Sequence, residues 1–389
     1  MIDFPQNLLS KLETRRLNQS FRELPKNNNL IDFSSNDYLG YAKSEIIFDQ
    51  THQYLVDNNI KINGATGSRL ISGNHDLYAE TENFIAEFHQ SQTAIIFNSG
   101  YDANIGFFGS VPQRNDIILY DELCHASIRD GITMSNAKSY KFNHNDFADL
   151  ENLIVKLSTK KEQFTTHNSQ PIIYIVTESV FSMDGDCPNL EELIRVSEKY
   201  NCNLVIDEAH ALGVFGENGQ GLVQEYGLQN KVFARIMTFG KGLGCHGAAI
   251  LGSNNLKDFL VNFARSFIYT TGLSPHSVAA ILIAYQHLSK DKTEIEKLRE
   301  NIIYFNQQKN LLSLKPLFVR SKSAIQSAIV PGNDKVKVVA KTIQENGFNV
   351  KAILSPTVPK GQERLRICLH SYDSKNDIDN LLQIILNTL

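Results

Sequence analysis

Hydrophobic positions in the middle of the chain form short continuous runs that alternate with amphipathic segments. Runs such as IIYIV and NLVID are apolar on successive positions, which indicates strands covered on both faces. Segments such as 190–200 have the spacing of an amphipathic helix. This alternation predicts a mostly parallel α/β sheet. The predicted strands are 93–98, 116–120, 172–177, 203–207, 235–239 and 248–252.

The pattern changes after about residue 290, and residues 5–24 have helical spacing of their own. We therefore predict an N-terminal helix and arm at 1–44, a large α/β domain at 45–289 and a small α+β domain at 290–389. In the last region the predicted helices are 293–312, 335–346 and 374–386, and the predicted strands are 324–330, 349–353 and 364–369.

Composition excludes several classes of protein. Hydrophobic residues make up 42% and charged residues 21%, which is typical of globular chains and not of disordered or coiled-coil ones. The net charge of −4 predicts neither a nucleic-acid nor a membrane partner, and no apolar run is long enough for a spanning helix. The five cysteines lie far apart in the sequence. They suggest no disulfide framework and no metal site, so we expect a reduced, cytoplasmic setting.

The most informative motif is VIDEAHALGVFG, at 205–216. Asp207 ends a predicted buried strand, and His210 follows three residues later. Open α/β sheets bind ligands at the carboxyl ends of their strands. Asp207 could there hold a protonated ring nitrogen, while His210 contacts the same ligand elsewhere. The alternative is structural: Asp207 caps a helix and His210 is a buried, hydrogen-bonded histidine.

A second motif, TFGKGLG, places Lys241 between two glycines. Glycines allow the backbone to approach a ligand closely. Burial favours the neutral amine of a lysine, which is the form that makes a Schiff base. The spacing does not fit a phosphate-binding P-loop. A solvated lysine in a glycine turn is the alternative.

Asp207 and Lys241 are separated by about one crossover connection, so neighbouring strand ends could bring both to one ligand. Pyridoxal phosphate, with a ring nitrogen and an aldehyde, suits this pair. Its phosphate could lie at FNSGYDAN, where Ser99, Gly100 and Tyr101 open a predicted helix and offer backbone N–H groups. An ordinary strand-to-helix turn is the other interpretation of that segment.

Four more candidate residues follow predicted strands or lie on one. His125 in DELCHASIRDG could stack on a planar ring or face solvent, and Ser182 in TESVFSMDGD could donate to a cofactor oxygen or cap a turn. Arg364 and Arg366 share one face of a strand. A guanidinium suits a substrate carboxylate, although surface arginines would show the same spacing.

The ordered set of these motifs resembles the α-oxoamine synthases, a branch of the pyridoxal-phosphate enzymes with the aspartate-aminotransferase-like fold (fold type I). The resemblance runs from about residue 10 to the end of the chain. Besides the motifs above, it includes SNDYLG (35–40), GATGSRLISGNH (64–75), FIYTT (267–271) and PTVPKGQERLR.

The resemblance implies a role for each matched residue. Lys241 would carry the pyridoxal 5'-phosphate, Asp207 would pair with its ring nitrogen, and His125 would stack on its ring. Thr270 and Thr271 would reach the phosphate of a neighbouring subunit, which implies a homodimer with shared active sites. The other implied cofactor contacts are Gly100, Tyr101, Ser182, His210 and Thr238, and the implied substrate contacts are Arg22, Thr357 and Arg366.

The resemblance also implies a reaction, the decarboxylative condensation of an amino acid with an acyl thioester of coenzyme A or an acyl carrier protein. Within the family, the chain looks most like the branch that joins L-alanine to a pimeloyl thioester. A branch that uses glycine or serine is an alternative, as is an aminotransferase. A binding protein without activity ranks last, because Lys241 and Asp207 are both present.

Overall fold

A seven-stranded sheet forms the centre of the molecule. The computed structural model describes residues 4–18, 20–24, 29–161 and 171–389. The described strands are β1 (Ile31–Asp32), β2 (Thr93–Phe97), β3 (Ile117–Asp121), β4 (Lys138–Phe142), β5 (Ile173–Glu178), β6 (Asn203–Asp207), β7 (Ala234–Thr238), β8 (Ala248–Gly252), β9 (Ile325–Ile329), β10 (Phe348–Asn349), β11 (Lys351–Ile353) and β12 (Arg364–Cys368). The large sheet has the order β2-β8-β7-β6-β5-β3-β4. Strand β8 runs opposite to the six other strands, so its pairs with β2 and β7 are antiparallel and the remaining pairs are parallel. The predicted mostly parallel α/β sheet is therefore confirmed.

Helices connect and cover these strands. The described helices are α1 (Gln6–Leu17), α2 (Glu45–Asp57), α3 (Asp76–Phe88), α4 (Gly100–Ser110), α5 (Ala126–Met134), α6 (Phe147–Lys161), α7 (Leu190–Lys199), α8 (Leu222–Glu225), α9 (Asn254–Phe263), α10 (Arg265–Ile268), α11 (Pro275–Lys290), α12 (Thr293–Leu311), α13 (Asn333–Glu345) and α14 (Lys375–Thr388). Within the described residues, no helix combines the length and the apolar content needed to cross a bilayer.

Alternation of buried residues between the two sheet faces explains the continuous apolar runs. In β6, Leu204 and Ile206 belong to one buried cluster, whereas Val205 belongs to a second cluster. Successive side chains of a strand point to opposite faces, so a strand covered on both faces needs apolar residues at every position. The next residue, Asp207, therefore shares the face of Val205.

Strand β4 was not predicted, because its sequence KSYKF lacks an apolar run. It lies at the edge of the sheet, and four of its five residues are exposed. Lysines are common on edge strands, where they discourage pairing with another chain. The apolar pattern that identifies central strands is thus missing at this edge.

A second, three-stranded antiparallel sheet has the order β11-β12-β9. The predicted strand 349–353 is divided in the structure, since β10 pairs with β1 while β11 pairs with β12. The backbone N–H of Cys368 donates to the carbonyl of Phe33 at 2.9 Å. The segment that begins at β1 is therefore held against the smaller sheet. The division into domains at residues 44 and 289 stays a prediction.

A buried ion pair supports the end of β6 next to Asp207. Arg235 Nε donates to Glu208 Oε2 at 2.7 Å, and both side chains are almost fully buried. The second Glu208 oxygen accepts from the backbone N–H of Val223 at 2.9 Å. Each of these two buried ions is therefore stabilised by the other. Without its partner, a buried ion would lose its hydration energy and gain no attraction in return.

We expect Arg235→Met to lower the free energy of unfolding by about 3–5 kcal/mol, because it leaves the Glu208 carboxylate buried without a cation. Urea denaturation of the purified protein measures the change. Lys292→Met, which removes an exposed pair with Glu217, is the control and should cost less than about 1 kcal/mol. Equal effects of the two substitutions would contradict the proposed dependence.

Candidate active site

The ends of two neighbouring strands bring three predicted site residues together. Strands β6 and β7 are parallel, with Asp207 opposite Ile236. His210 lies in the turn after β6, and Lys241 lies three residues after β7. Lys241 Nζ is 2.7 Å from His210 Nε2. The structure therefore brings the motifs VIDEAHALGVFG and TFGKGLG together, as the sequence predicts.

Gly242 makes this close approach of the two turns possible. A Cβ at position 242 would lie 2.2 Å from the carbonyl oxygen of Leu212. Any side chain would push the lysine turn away from the turn that carries His210. The glycine after Lys241 is thus required by packing between the two turns, independently of any ligand.

Asp207 is buried and held by a hydrogen-bond network. Its carboxylate accepts from Asn104 Nδ2 and from the backbone N–H of Ala209, both at 2.9 Å. Asn104 Nδ2 also donates to Ser127 Oγ at 3.0 Å, and that oxygen is 2.8 Å from His125 Nδ1. The network connects the carboxylate to His125. Sequence reasoning missed Asn104 and Ser127, although both lie close to predicted motifs.

Strand β5 contributes a second buried acid, Glu178, which is paired in register with Asp207. Glu178 Oε1 accepts from the backbone N–H of His125 at 2.6 Å. Burial and the neighbouring Asp207 raise the pKa of Glu178. A protonated Glu178 leaves Asp207 as the negative charge at this strand end. The position of Glu178 at the end of a predicted strand was the signal that could have identified it.

Burial also favours the uncharged forms of the two basic groups. It lowers the pKa of Lys241 below its ordinary value of 10.5, against the opposing influence of Asp207 and Glu178. Burial and the Lys241 charge hold the pKa of His210 well below its usual range. A neutral amine beside a neutral imidazole is suited to nucleophilic and proton-transfer chemistry.

His125 is at the start of α5, and its ring remains exposed. Partial burial and the Lys241 charge lower the pKa of His125, whereas Asp207 raises it. These influences show that the three groups lie within electrostatic range of one another. An exposed ring above this cluster is compatible with the predicted stacking on a planar ligand.

Tyr38 enters the cluster from the SNDYLG segment. Its hydroxyl is 2.6 Å from His210 Nδ1, and the side chain is fully buried. Burial raises the pKa of Tyr38, so the hydroxyl keeps its proton. The sequence analysis did not predict a role for Tyr38, because nothing in residues 35–40 indicates a hydrogen-bond partner 172 positions away.

Arg366 is buried beside the same cluster. Its Nε donates to the carbonyl of Ser182 at 2.6 Å, and its Nη2 donates to Asn36 Oδ1 at 2.9 Å. The structure thus brings Ser182 to the site through its carbonyl, and a role for its hydroxyl stays a prediction. Arg364 is not a surface residue either, because it is buried and pairs with Asp184.

The start of α4 lies against the end of β7. A Cβ at Gly100 would be 2.4 Å from Thr238 Oγ1, so only a bare backbone fits there. The first N–H groups of a helix have no partner within it and favour an anion. Tyr101 contributes its backbone N–H at this point, since its hydroxyl donates to Asp130 at 2.8 Å.

The remaining predicted residues lie in three places. Asn98 Nδ2, just after β2, donates to Thr270 Oγ1 at 3.0 Å and to the Thr271 carbonyl at 2.7 Å. Arg22 is exposed after α1, and Thr357 is exposed in the segment before β12. No hydrogen bond with a described residue brings Arg22 to the cluster. Its role and that of Thr357 stay predictions.

These groups fit pyridoxal phosphate by the chemistry of the donor set. Asp207 offers a carboxylate for a ring nitrogen, Lys241 offers an amine for an aldehyde, and the bare backbone at Gly100 offers N–H groups for a phosphate. The three are held by different elements around one cluster.

Comparison with known proteins agrees with this geometry. The sequence profile described as "Aminotransferase class I and II" matches residues 28–385. The chain is 37% identical to the 8-amino-7-oxononanoate synthase of Emericella nidulans, over 100% of this chain and 95% of that protein.

Solved structures show the same fold. The 8-amino-7-oxononanoate synthase of Francisella tularensis is 28% identical, with a TM-score of 0.74 and coverage of 93% of this chain and 98% of that one. The serine palmitoyltransferase of Sphingomonas wittichii is 24% identical, with a TM-score of 0.86 over 98% of this chain and 96% of that one. The predicted fold type I architecture is confirmed. With a partly buried lysine beside a buried carboxylate and imidazole at its strand ends, the chain belongs to the class I and II aminotransferase family and, within it, to the α-oxoamine synthases.

Proposed function

We propose that the protein condenses L-alanine with a pimeloyl thioester, with loss of carbon dioxide, to give 8-amino-7-oxononanoate in biotin biosynthesis. The observation that carries the chemistry is the 2.7 Å contact between Lys241 Nζ and His210 Nε2 next to buried Asp207. The choice of substrates is supported by full-length similarity to a synthase of that name.

The cofactor is pyridoxal 5'-phosphate, which when bound withdraws electrons from the α-carbon of an amino acid. Lys241 and Asp207 would hold its two ends, and the N–H groups at the start of α4 with Thr238 would hold its phosphate. His125 would cover the ring. A carboxylate at Asp207 would keep the ring nitrogen protonated.

Lys241 is the proton-transfer group. With the cofactor and an amino acid bound, the neutral form of its amine would accept the α-proton and later return one to the product. Burial lowers the pKa of Lys241 to about 8, which raises the share of the neutral form near neutral pH. Arg366, buried beside the same cluster, attracts the substrate carboxylate through its positive charge.

Tyr38 is a positioning residue. The Tyr38 hydroxyl has one proton and two possible acceptors, His210 Nδ1 at 2.6 Å and Asn36 Oδ1 at 3.3 Å. The nearer acceptor is His210 Nδ1, which places the imidazole proton on Nε2, the nitrogen that faces Lys241 and could donate to a cofactor oxygen.

The oligomer and the donor belong to the same proposal. We infer that the active form is a cytoplasmic homodimer, in which Thr270 and Thr271 complete the partner's phosphate site. Arg22 binds the acyl substrate, supplied as a thioester of coenzyme A or of a carrier protein, and Thr357 lies near the amino-acid carboxylate that Arg366 binds. Serine palmitoyltransferase chemistry is the second candidate, favoured by the TM-score of 0.86.

A substrate screen tests the proposal. The purified holoenzyme should release carbon dioxide and free thiol with L-alanine and pimeloyl-CoA, and mass spectrometry should detect the amino ketone. Serine with palmitoyl-CoA and glycine with acetyl-CoA should react at least about 10-fold more slowly, as one misplaced group in a pocket allows. Faster reaction of either competing pair would contradict the choice of substrates.

We expect Lys241→Ala to lower turnover by at least about 1,000-fold, because it removes both the cofactor attachment and the base. Borohydride reduction should attach the cofactor to Lys241 in the wild type and leave the variant unlabelled. Because burial lowers the pKa of Lys241, labelling of the apoprotein should be half-maximal at a pH below 10.5. Wild-type turnover in the variant, or labelling of a different lysine, would exclude the assignment.

We expect Tyr38→Phe to reduce kcat about 10-fold, because the buried His210 Nδ1 loses its partner. The pH dependence of the visible absorption of the bound cofactor should shift as well, which a purely structural role would not produce. Tyr54→Phe, which removes a hydroxyl bound to Glu80, is the control. An unchanged absorption profile in Tyr38→Phe would contradict the tautomer assignment.

A further inference from the structure

A large cavity lies outside the active site, between α12 and the segment that precedes β9. Its volume is about 930 Å³, and its walls come from residues 302–310 and 315–322. Small-molecule sites have volumes of about 300–1,000 Å³. The cavity is therefore large enough for a ligand the size of a nucleotide.

The walls of this cavity carry positive charge and no carboxylate. Four basic residues line it, Lys309, Lys315, Arg320 and Lys322. None of the four forms an ion pair with a carboxylate in the described part of the chain. Like charges that line one cavity without counter-ions repel one another, so an anion bound among them would lower that repulsion.

Lys309 is the least expected member of the group, because only 4% of it is exposed. Its Nζ donates to Gln326 Oε1 at 3.0 Å and lies 4.9 Å from the centre of the Phe318 ring. An ammonium has three donors, and neither a neutral amide nor a ring supplies a negative charge. Lysines are almost never this buried without an anionic partner.

We propose that this cavity binds a phosphorylated small molecule with at least two negative charges. Phosphate oxygens can accept from the buried Lys309 and from the exposed basic side chains together, and arginine suits a phosphate bidentately. Phe318 and the amide side chains of Asn306 and Asn310 offer contacts for the rest of the ligand. The proposal does not depend on which thioester the active site uses.

The cavity wall also contacts a loop of the active site. Ser321 Oγ and Ser323 Oγ both donate to the carbonyl of Gly185, at 2.7 and 2.9 Å. Gly185 follows Ser182, whose carbonyl holds Arg366, by three residues. A ligand that fixes Arg320 and Lys322 therefore fixes a segment packed on the substrate-binding side of the site. This contact gives the experiment a second readout.

Isothermal titration of the full-length holoenzyme with inorganic pyrophosphate tests the proposal, since the bound cofactor already fills its own phosphate site. The wild type should bind pyrophosphate saturably. The double variant Arg320→Gln/Lys322→Gln should bind at least about 10-fold more weakly, because two charged contacts are lost. The matched control Lys290→Gln/Lys335→Gln removes two exposed lysines outside the cavity and should stay within about twofold of the wild type.

Assays with pimeloyl-CoA and its 3'-dephospho analogue identify the source of the phosphate. If the KM of the cavity variant rises for pimeloyl-CoA alone, the ligand is the coenzyme's own phosphate. If neither KM changes while pyrophosphate binding is weakened, the ligand is a separate metabolite. Both results support the site.

Three results would overturn the proposal. The first is no saturable binding of pyrophosphate by the wild type. The second is equal weakening in the cavity variant and the control, which would show a general effect of charge. The third is equally tight binding of citrate, which would show that the cavity does not distinguish phosphates from carboxylates. A failed condensation assay with intact pyrophosphate binding would count against the proposed function only.

Discussion

The structure depends on holding an amine of lowered pKa inside a polar cluster. Lys241 is held next to His210 and near Asp207, and burial lowers its pKa against the attraction of the carboxylates. A fully exposed lysine would be protonated at neutral pH and inert as a nucleophile. The surrounding fold supports this balance through the hydrogen bonds that Tyr38 and Asn104 make with His210 and Asp207.

That balance requires support from elements far apart in the chain. Asn104 on α4 and Ser127 on α5 connect Asp207 to His125, and Arg235 compensates the charge of Glu208 directly after Asp207. A buried carboxylate is tolerated only where such partners exist. The strand end that carries Asp207 is thus surrounded by residues that hold its carboxylate and its neighbours in place through hydrogen bonds and an ion pair.

The site also joins the N-terminal segment to the smaller sheet. Asn36 and Tyr38 follow β1, which pairs with β10, and both lie beside Arg366 on β12. Asn36 Oδ1 accepts from Arg366 Nη2, and Tyr38, two residues later, contacts His210 Nδ1. One short segment of the chain therefore connects Arg366 of the smaller sheet to the histidine beside Lys241.

The sequence by itself determined the central strands and the positions of Asp207 and Lys241, because buried parallel strands leave continuous apolar runs and their ends carry the polar residues. It could not determine β4, whose edge position removes that signal, or the roles of Tyr38, Asn104 and Glu178. Tyr38 and Asn104 find their partners 172 and 103 residues away. The local pattern of hydrophobic and polar residues indicates burial and periodicity. Hydrogen bonds between distant residues, and the pKa shifts that they cause, form only when the chain has folded.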